Sequence, residues 1–184
     1  MNPFEGRITL TRRSGEARVF ELRRCTEADL CDIMSLQQQV SERLHDPDIY
    51  VPINEDDFRE SLMHDHFFGV YYEGRLIAAT LMIDNRVSHR NYGTYVGYPP
   101  ERLPDCVSME TTFVDEKCRG FGLQAHLTAL RESYARELGA TESFVTISPR
   151  NEHSLRNLMS MGYEILETRP LYGDAVRHIL RKYL

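Results

Sequence analysis

The chain has 184 residues, of which 41% are hydrophobic and 27% charged, and these proportions are typical of one globular domain over residues 1–184. A formal net charge of −6 gives no overall electrostatic support for binding nucleic acid or an anionic membrane. No signal peptide or membrane-length apolar run is recognisable, so we expect a cytoplasmic protein. The four cysteines show no zinc-ligand spacing, so we expect free thiols and no metal site.

The N-terminal third combines strand and helix patterns. Residues 18–23 alternate polar and apolar side chains and predict a strand, and residues 9–11 could form an extra strand or a loose arm. Thr26 and Asn54 are suitable N-caps, and each precedes apolar residues at helical spacing. We therefore predict one helix that reaches Val40 and a second that begins after Asn54.

The next segment predicts a hairpin followed by an irregular insert. Residues 67–72 and 75–84 have the composition of strands and are separated by Glu73-Gly74, a favourable two-residue turn. Residues 85–106 are polar and contain several glycines and prolines, so we predict little regular structure there. Three tyrosines of this insert could line a pocket or simply pack the loop down, namely Tyr92, Tyr95 and Tyr98.

Residues 107–138 form the unit around which we expect the chain to be organised. Residues 107–114 predict a buried strand, and a polar turn then leads to Arg119-Gly120-Phe121-Gly122 and a helix that reaches Leu138. The start of a helix leaves N–H groups unpaired, glycines let an anion approach them, and Arg119 adds positive charge. The loop matches neither the dinucleotide fingerprint nor the P-loop. It is therefore either a site for another pyrophosphate carrier or a tight turn without a ligand.

The same stretch resembles the central motif of the GNAT superfamily of acyl-CoA N-acyltransferases. That motif, Arg/Gln-x-x-Gly-x-Gly/Ala, follows a strand that ends in valine and an acidic turn. Val114, Asp115, Arg119 and Gly122 match it, whereas Gln124 stands where glycine or alanine is usual.

A second stretch resembles the next motif of that family. Residues 143–147 predict a strand, Asn151 is the expected N-cap of a helix that reaches Met161, and Gly162-Tyr163 resembles the family's Gly-Phe/Tyr ending. Closing strands are predicted at 163–168 and 176–184. The order of strand, two helices, three strands, helix, strand, helix and two strands is that of the GNAT fold.

The resemblance implies an α+β fold, an α/β sandwich in which a mixed, mostly antiparallel sheet of six or seven strands carries helices on both faces. In that fold a central parallel pair splays apart and receives the pantetheine arm of acetyl-CoA, the acyl-donor cosubstrate, while the pyrophosphate lies on the glycine loop. Carried over residue by residue, the cofactor-binding positions are Phe113, Val114, Arg119, Gly120, Phe121, Gly122, Leu123, Gln124, Asn151 and Ser154.

Acyl transfer to an amine also needs a general base, because a primary amine has a pKa of about 10.4. Glu110 is the candidate catalytic base, since a carboxylate in an apolar strand is costly to bury without a role; a salt bridge to a nearby arginine is the alternative. A period of two places Glu110 on the same face as Thr112 and Val114.

The general acid departs from the pattern of the family. The family often uses a tyrosine four residues before the glycine of its second motif, and this chain has Leu158 there. Tyr163, Tyr172 or water could instead protonate the leaving thiolate, or the thiolate could leave unassisted. Cys118 lies near a helix start, a position that could lower its pKa and permit an acyl-cysteine relay.

We therefore expect an N-acetyltransferase that moves an acetyl group from acetyl-CoA to a primary amine, on a small molecule or a peptide, by direct attack. One alternative is a non-catalytic acyl-CoA-binding regulatory protein, which Leu158 favours. Another is an acyltransferase with a different acyl-CoA donor. The acceptor pocket carries no recognisable motif. Dimers are frequent in the family, so a homodimer is one option for the assembly.

Overall fold

The structure is a computed structural model that describes residues 4–84 and 90–184. Within these residues eight strands form one sheet: β1 (Gly6–Thr11), β2 (Ala17–Arg24), β3 (His66–Tyr72), β4 (Arg75–Ile83), β5 (Cys106–Val114), β6 (Glu142–Ile147), β7 (Glu164–Leu171) and β8 (Ala175–Tyr183). Their order in space is β1-β2-β3-β4-β5-β6-β8-β7. All neighbouring strands are antiparallel except β5 and β6, which are parallel.

Four α-helices accompany the described sheet: α1 (Leu30–Ser41), α2 (Glu55–His64), α3 (Leu123–Glu137) and α4 (Glu152–Ser160). None of them has the length and apolar character needed to span a membrane. The described part of the predicted insert contains two 3₁₀ helices, Tyr92–Val96 and Pro100–Asp105, and the rest of it, residues 85–89, lies outside the described residues. The predicted α+β architecture is confirmed.

The sheet has eight strands, one more than the upper end of the expected six or seven, because the N-terminal segment forms β1. Every residue of β1 has a register partner in β2, from Gly6 opposite Leu22 to Thr11 opposite Ala17. Just before β1, the buried ring of Phe4 packs against the core. The strand was hard to predict because it lies at an edge of the sheet, where few of its side chains are buried.

The helices cover both faces of the sheet. On one face, Ile33 of α1 and Phe58 of α2 pack against Phe67 and Phe113. On the other face, Leu127 of α3 packs against the opposite side of β3 and β4 in one cluster, and α4 joins a neighbouring cluster with the end of α3. The two faces bury alternate residues of the central strands, as the twofold period of a strand requires.

A β-bulge interrupts the pairing of β4 and β5. Thr80 lies opposite Thr112, whereas Met82 lies opposite Met109, so β5 contains one extra residue between these pairs. Leu81, on the other strand, has no register partner in β5. Because side chains alternate between faces, the extra residue reverses the facing of every side chain on one side of the bulge relative to the other.

A buried glutamine holds the loop between α1 and α2 against the body of the protein. The Gln37 side chain accepts a hydrogen bond from the Ile53 amide (2.9 Å) and donates one to the Ile53 carbonyl (2.8 Å). Farther out, Arg150 pairs with Asp46 (2.8 Å) and Asp48 (3.2 Å) of the same loop. The loop is therefore anchored at both its inner and its outer side.

Replacing this anchor should loosen the loop. We expect Gln37→Leu to lower the free energy of unfolding by about 1–3 kcal/mol, because it leaves the buried N–H and carbonyl of Ile53 without a partner. Amide hydrogen exchange should rise mainly at residues 47–53. The control is Gln39→Leu, since Gln39 is exposed and its side chain bonds only Ser35 of α1 among the described residues. Equal stability of the two variants in urea denaturation would contradict this role for Gln37.

Candidate active site

The parallel strands β5 and β6 separate after a short stretch of pairing. Cys106, Val107 and Ser108 have register partners in β6, whereas the rest of β5 has none there. The N–H and carbonyl groups that β5 and β6 turn toward each other beyond this point are therefore left for another partner. A cavity of about 440 Å³ opens at this separation.

The cavity has an upper half beside α2 and the loop that precedes it, and a lower half beside α3 and α4. The upper half is lined by Ile49, Tyr50, Ile53, Arg90, Tyr92 and Glu110. The lower half is lined by Gln124, Thr128, Arg131, Asn151, Ser154 and Leu158. Of the three tyrosines noted in the insert, Tyr92 lines the cavity, whereas Tyr98 bonds Glu142 on β6 (2.8 Å).

The glycine loop leaves the first turn of α3 open. Gly120 and Gly122 have φ values of +87° and +72°, which favour glycine, and no atom of the described residues lies within 4 Å of the position that a Cβ of residue 122 would take. Gly122 is the N-cap of α3, and no side chain caps the helix. Arg119 is exposed and forms no ion pair within the described residues. Unpaired N–H groups, open space and a free guanidinium suit an anion.

Aromatic and cationic side chains hold the glycine loop from below. Phe121 is buried against Phe20 (5.3 Å between ring centroids), so its side chain is a core residue. The Arg12 guanidinium lies 4.4 Å above the Phe121 ring and also donates a hydrogen bond to the Lys117 carbonyl. Leu123 is likewise buried. At these positions only the main chain is available to a ligand.

The side chains of α3 and α4 meet at the lower half of the cavity. Gln124 donates to Ser154 Oγ (3.0 Å) and accepts from Asn157 Nδ2 (3.0 Å). Asn151 caps α4 by accepting from the Ser154 amide (3.3 Å). The glutamine that departs from the family motif thus links the starts of the two helices. Phe113, by contrast, contributes its ring to the opposite core cluster.

The simple strand period predicted that Glu110 and Thr112 lie on the same face of the sheet. In the structure they lie on opposite faces. Thr112 Oγ1 accepts a hydrogen bond from Arg131 of α3 (3.0 Å). Glu110 instead lies 3.3 Å from Arg90, which also donates to Ser61 of α2 (2.8 Å). The expectation was wrong because the bulge lies between Glu110 and Thr112 and turns the carboxylate into the upper half of the cavity.

The surroundings of Glu110 disfavour its charged form. Burial raises the pKa of Glu110 above its usual 4.5, and the neighbouring charges of Asp65 and Asp57 act in the same direction. Arg90 opposes this shift, but its guanidinium is also engaged by Asp65 at 3.0 Å. The arginine salt bridge considered from the sequence is therefore present, and the carboxyl nevertheless has a raised pKa.

The candidate acids occupy different places. Leu158 lines the cavity at the position of the family's usual tyrosine. Tyr163 is buried beside Ser143 (2.8 Å between hydroxyl oxygens) and is not among the lining residues. Tyr172 does line the cavity, and its hydroxyl lies 3.0 Å from Thr146 Oγ1. Burial raises the pKa of Tyr172, so it stays protonated at neutral pH.

Cys118 does not have the lowered pKa that its position near a helix start suggested. The thiol is buried, and burial raises its pKa, although Arg18 nearby opposes the shift. All four cysteines are free thiols, and Cys118 is not among the residues that line the cavity. The structure therefore gives no support to an acyl-cysteine relay.

Three arginines of the cavity were missed by the sequence analysis, namely Arg90, Arg131 and Arg177. Arg131 is fully buried and donates to the Leu81 carbonyl (2.8 Å), the group that the bulge deprives of its neighbour in β5. Burial lowers the pKa of Arg131 to about 10. Its one sequence signal was a charged residue among the apolar residues of a helix, which alone does not distinguish a buried arginine from an exposed one.

Comparison with known proteins agrees with this architecture. The model of the Acetyltransferase (GNAT) family matches residues 28–163. None of the curated protein sequences matches the chain significantly. Among solved structures, the GNAT domain of S. lividans PAT has a TM-score of 0.66 at 20% identity, with 97% of each chain covered.

Two further solved structures show the same likeness of fold. The ribosomal-protein-alanine N-acetyltransferase of Brucella melitensis has a TM-score of 0.67 at 18% identity, over 89% of this chain and 99% of its own. The putative acetyltransferase yncA of Salmonella typhimurium, solved with acetyl-CoA, has a TM-score of 0.64 at 16% identity, over 90% and 94%. Since the family model matches most of the chain, the protein belongs to the GNAT family of acetyltransferases and is an enzyme of the N-acyltransferase type.

Proposed function

We propose that the protein transfers an acetyl group from acetyl-CoA to a primary amine. The observation that carries this proposal is the separation of β5 and β6 beyond Ser108, directly beside the uncapped first turn of α3. A long ligand with an anionic part and an amide-containing arm would satisfy both features. The start of α3 offers N–H groups to the anion, and the separated strands offer unpaired main-chain groups to the amides. Acetyl-CoA has this form.

The residues present fit such a cosubstrate. Its pyrophosphate would lie over the main chain of residues 120–124, with Arg119 beside it. Its pantetheine arm would pair with the main chain of Phe113 and Val114, opposite Asn151 and Ser154. When bound, acetyl-CoA supplies an activated acyl group, and the protein supplies position and electrostatics.

Glu110 is the proposed general base. It lies in the upper half of the cavity, on the other side of the splayed strands from the proposed cosubstrate residues of α4. A carboxyl with a raised pKa is a better proton acceptor than an ordinary glutamate, because the ideal catalytic pKa lies near the operating pH. We propose that Glu110 takes the proton from the acceptor amine, directly or through water, before the amine attacks.

Tyr172 is the proposed general acid in place of the tyrosine that Leu158 replaces. The residue lines the cavity, and its phenol is protonated at neutral pH, so it carries a proton that can pass to the leaving thiolate. The residue also has a φ of +54°, an unusual value for a non-glycine residue. Homodimer formation and a cytoplasmic location stay predictions.

The proposed function is tested by following thiol release from acetyl-CoA across a panel of primary amines. Thiol release that depends on the amine would support transfer. Binding of acetyl-CoA without release for any amine would favour the non-catalytic alternative. A parallel panel of acyl-CoA donors, including succinyl-CoA, tests the choice of acetyl group.

The glycine loop gives the first prediction of the proposed function. We expect Gly122→Glu to weaken acetyl-CoA binding more than about tenfold, because it adds bulk and negative charge at a helix start proposed for pyrophosphate. Equilibrium dialysis measures the dissociation constant. Gly139→Glu is a matched control, since Gly139 follows the other end of α3 with a similar φ of +82° and open space. If both variants bind equally well, the loop does not hold the cosubstrate.

Glu110 gives the second prediction. We expect Glu110→Gln to lower kcat about 100-fold or more while acetyl-CoA affinity is kept. In the unmodified enzyme, kcat/KM should fall as the pH drops through the raised pKa of Glu110, because the base must be deprotonated. This acid limb should disappear in the variant. A variant of the exposed Glu101, Glu101→Gln, serves as the control, and unchanged turnover in Glu110→Gln would make that carboxylate structural.

Tyr172 gives the third prediction. We expect Tyr172→Phe to lower kcat about 100-fold with little change in acetyl-CoA affinity, because only the proton-donating hydroxyl is lost. The loss should shrink for an acyl-thioester whose thiol is more acidic and leaves without protonation. Tyr183→Phe removes a hydroxyl from an exposed position and should have no effect. An equal loss for both thioesters would argue that Tyr172 does not act as the acid.

A further inference from the structure

Arg177 is a buried cation that lines the cavity. It lies on β8, and 4% of the residue is exposed. Its Nη1 donates to the Val176 carbonyl (2.8 Å), whereas Nη2 is buried and has no hydrogen-bond partner among the described residues. No ion pair of Arg177 occurs within the described residues. A buried charge without a counterion is costly, and such a group is expected where a ligand supplies the missing partner.

Arg177 faces the upper half of the cavity. Ile179, two residues farther along β8, packs with Tyr92 and Phe144, whereas Leu180 packs with Leu158 of α4 on the opposite face. Because side chains alternate along a strand, Arg177 shares the face of Ile179. Arg177 and Glu110 therefore belong to the same half of one cavity, away from α4.

The surroundings of Arg177 add positive charge. Arg169 is its register partner on β7, so the two side chains lie on the same face of the sheet. Arg169 contacts Glu167 only at 3.8 Å. The acidic group that acts on Arg177 from the loop before α2 is Asp48, which is already paired with Arg150 at 3.2 Å. Adjacent like charges of this kind favour binding of an anion.

The other two cavity arginines are already engaged. Arg90 contacts Asp65 and Glu110, and Arg131 donates to the Leu81 carbonyl and to Thr112. Arg177 is thus the cavity arginine whose buried terminal nitrogen is left for a ligand.

We propose that Arg177 binds an anionic group of the acceptor. The acceptor would then be an amine that also carries a carboxylate, a phosphinate or a phosphonate, as amino acids and their phosphorus analogues do. Its amine would lie toward Glu110 and its anion toward Arg177, while apolar parts contact Tyr50 and Ile53. This inference rests on the proposed function, because it assigns the far end of the same acceptor site.

The test compares acceptors that differ only in the anion. Acetyl transfer is measured for the twenty L-amino acids, for the amide of each, and for the corresponding aminoalkyl phosphonates and phosphinates, which separates the two sources of negative charge. We expect kcat/KM for the best anionic acceptor to exceed that of its neutral counterpart at least about tenfold, the usual effect of a hydrogen bond to a charged group. In Arg177→Met this ratio should fall to about one.

Matched variants separate recognition from folding. Arg7→Met removes the same charge from an exposed position on β1 and should keep the ratio of the unmodified enzyme. Arg177→Lys keeps the charge but not the planar fork, and should retain part of the ratio. Thermal unfolding shows whether each variant is folded. Calorimetric titration of the best anionic acceptor into the enzyme with CoA should show binding that Arg177→Met loses and Arg7→Met keeps.

The outcomes distinguish this inference from the function on which it rests. Transfer to neutral amines but to no anionic amine, or equal transfer to both, would overturn the role of Arg177 and keep the acetyltransferase. An unchanged ratio in folded Arg177→Met would do the same. Failure of the proposed function would instead appear as no transfer to any amine of either kind, with or without acetyl-CoA binding.

Discussion

The structure depends on how β5 satisfies its main-chain hydrogen bonds. A strand inside a sheet normally pairs on both sides along its length. β5 pairs with β6 only from Cys106 to Ser108, and its pairing with β4 is interrupted by a bulge. The N–H and carbonyl groups that β5 turns toward β6 beyond Ser108 must find partners elsewhere, because unpaired buried groups are costly. The cavity, the direction of Glu110 and the place offered to a pantetheine arm all follow from this constraint.

The bulge is stabilised by side chains rather than by the strand ladder alone. Arg131 reaches from α3 to the Leu81 carbonyl, and Thr80 donates to the Thr111 carbonyl (3.0 Å). Burying the Arg131 guanidinium is costly, and its hydrogen bonds offset part of that cost. The protein has a net charge of −6 and yet places three arginines along one cavity, so the local electrostatics of the site differ from those of the whole chain.

The sequence predicted the fold better than the site. Two motifs in the correct order, together with the helical and strand periods, were sufficient for the element order from β2 to β8, because these signals are local. The predicted direction of the Glu110 side chain was wrong because a bulge depends on how two strands pair. It cannot be recognised from the alternation of residues in one strand. Arg177 was missed for a related reason. A strand with several charged residues is expected to be exposed. Only the packing of β8 against the cavity shows that this arginine is buried.

The central claim is that the opening between β5 and β6 receives a CoA thioester, and calorimetric titration with acetyl-CoA tests it most directly. We predict saturable binding of one acetyl-CoA per chain, similar binding of CoA, and no binding of NAD, which has a pyrophosphate but no pantetheine arm to pair with the separated strands. Absence of acetyl-CoA binding by the folded protein would contradict the account, because the open first turn of α3 and the unpaired strands would then serve some other purpose.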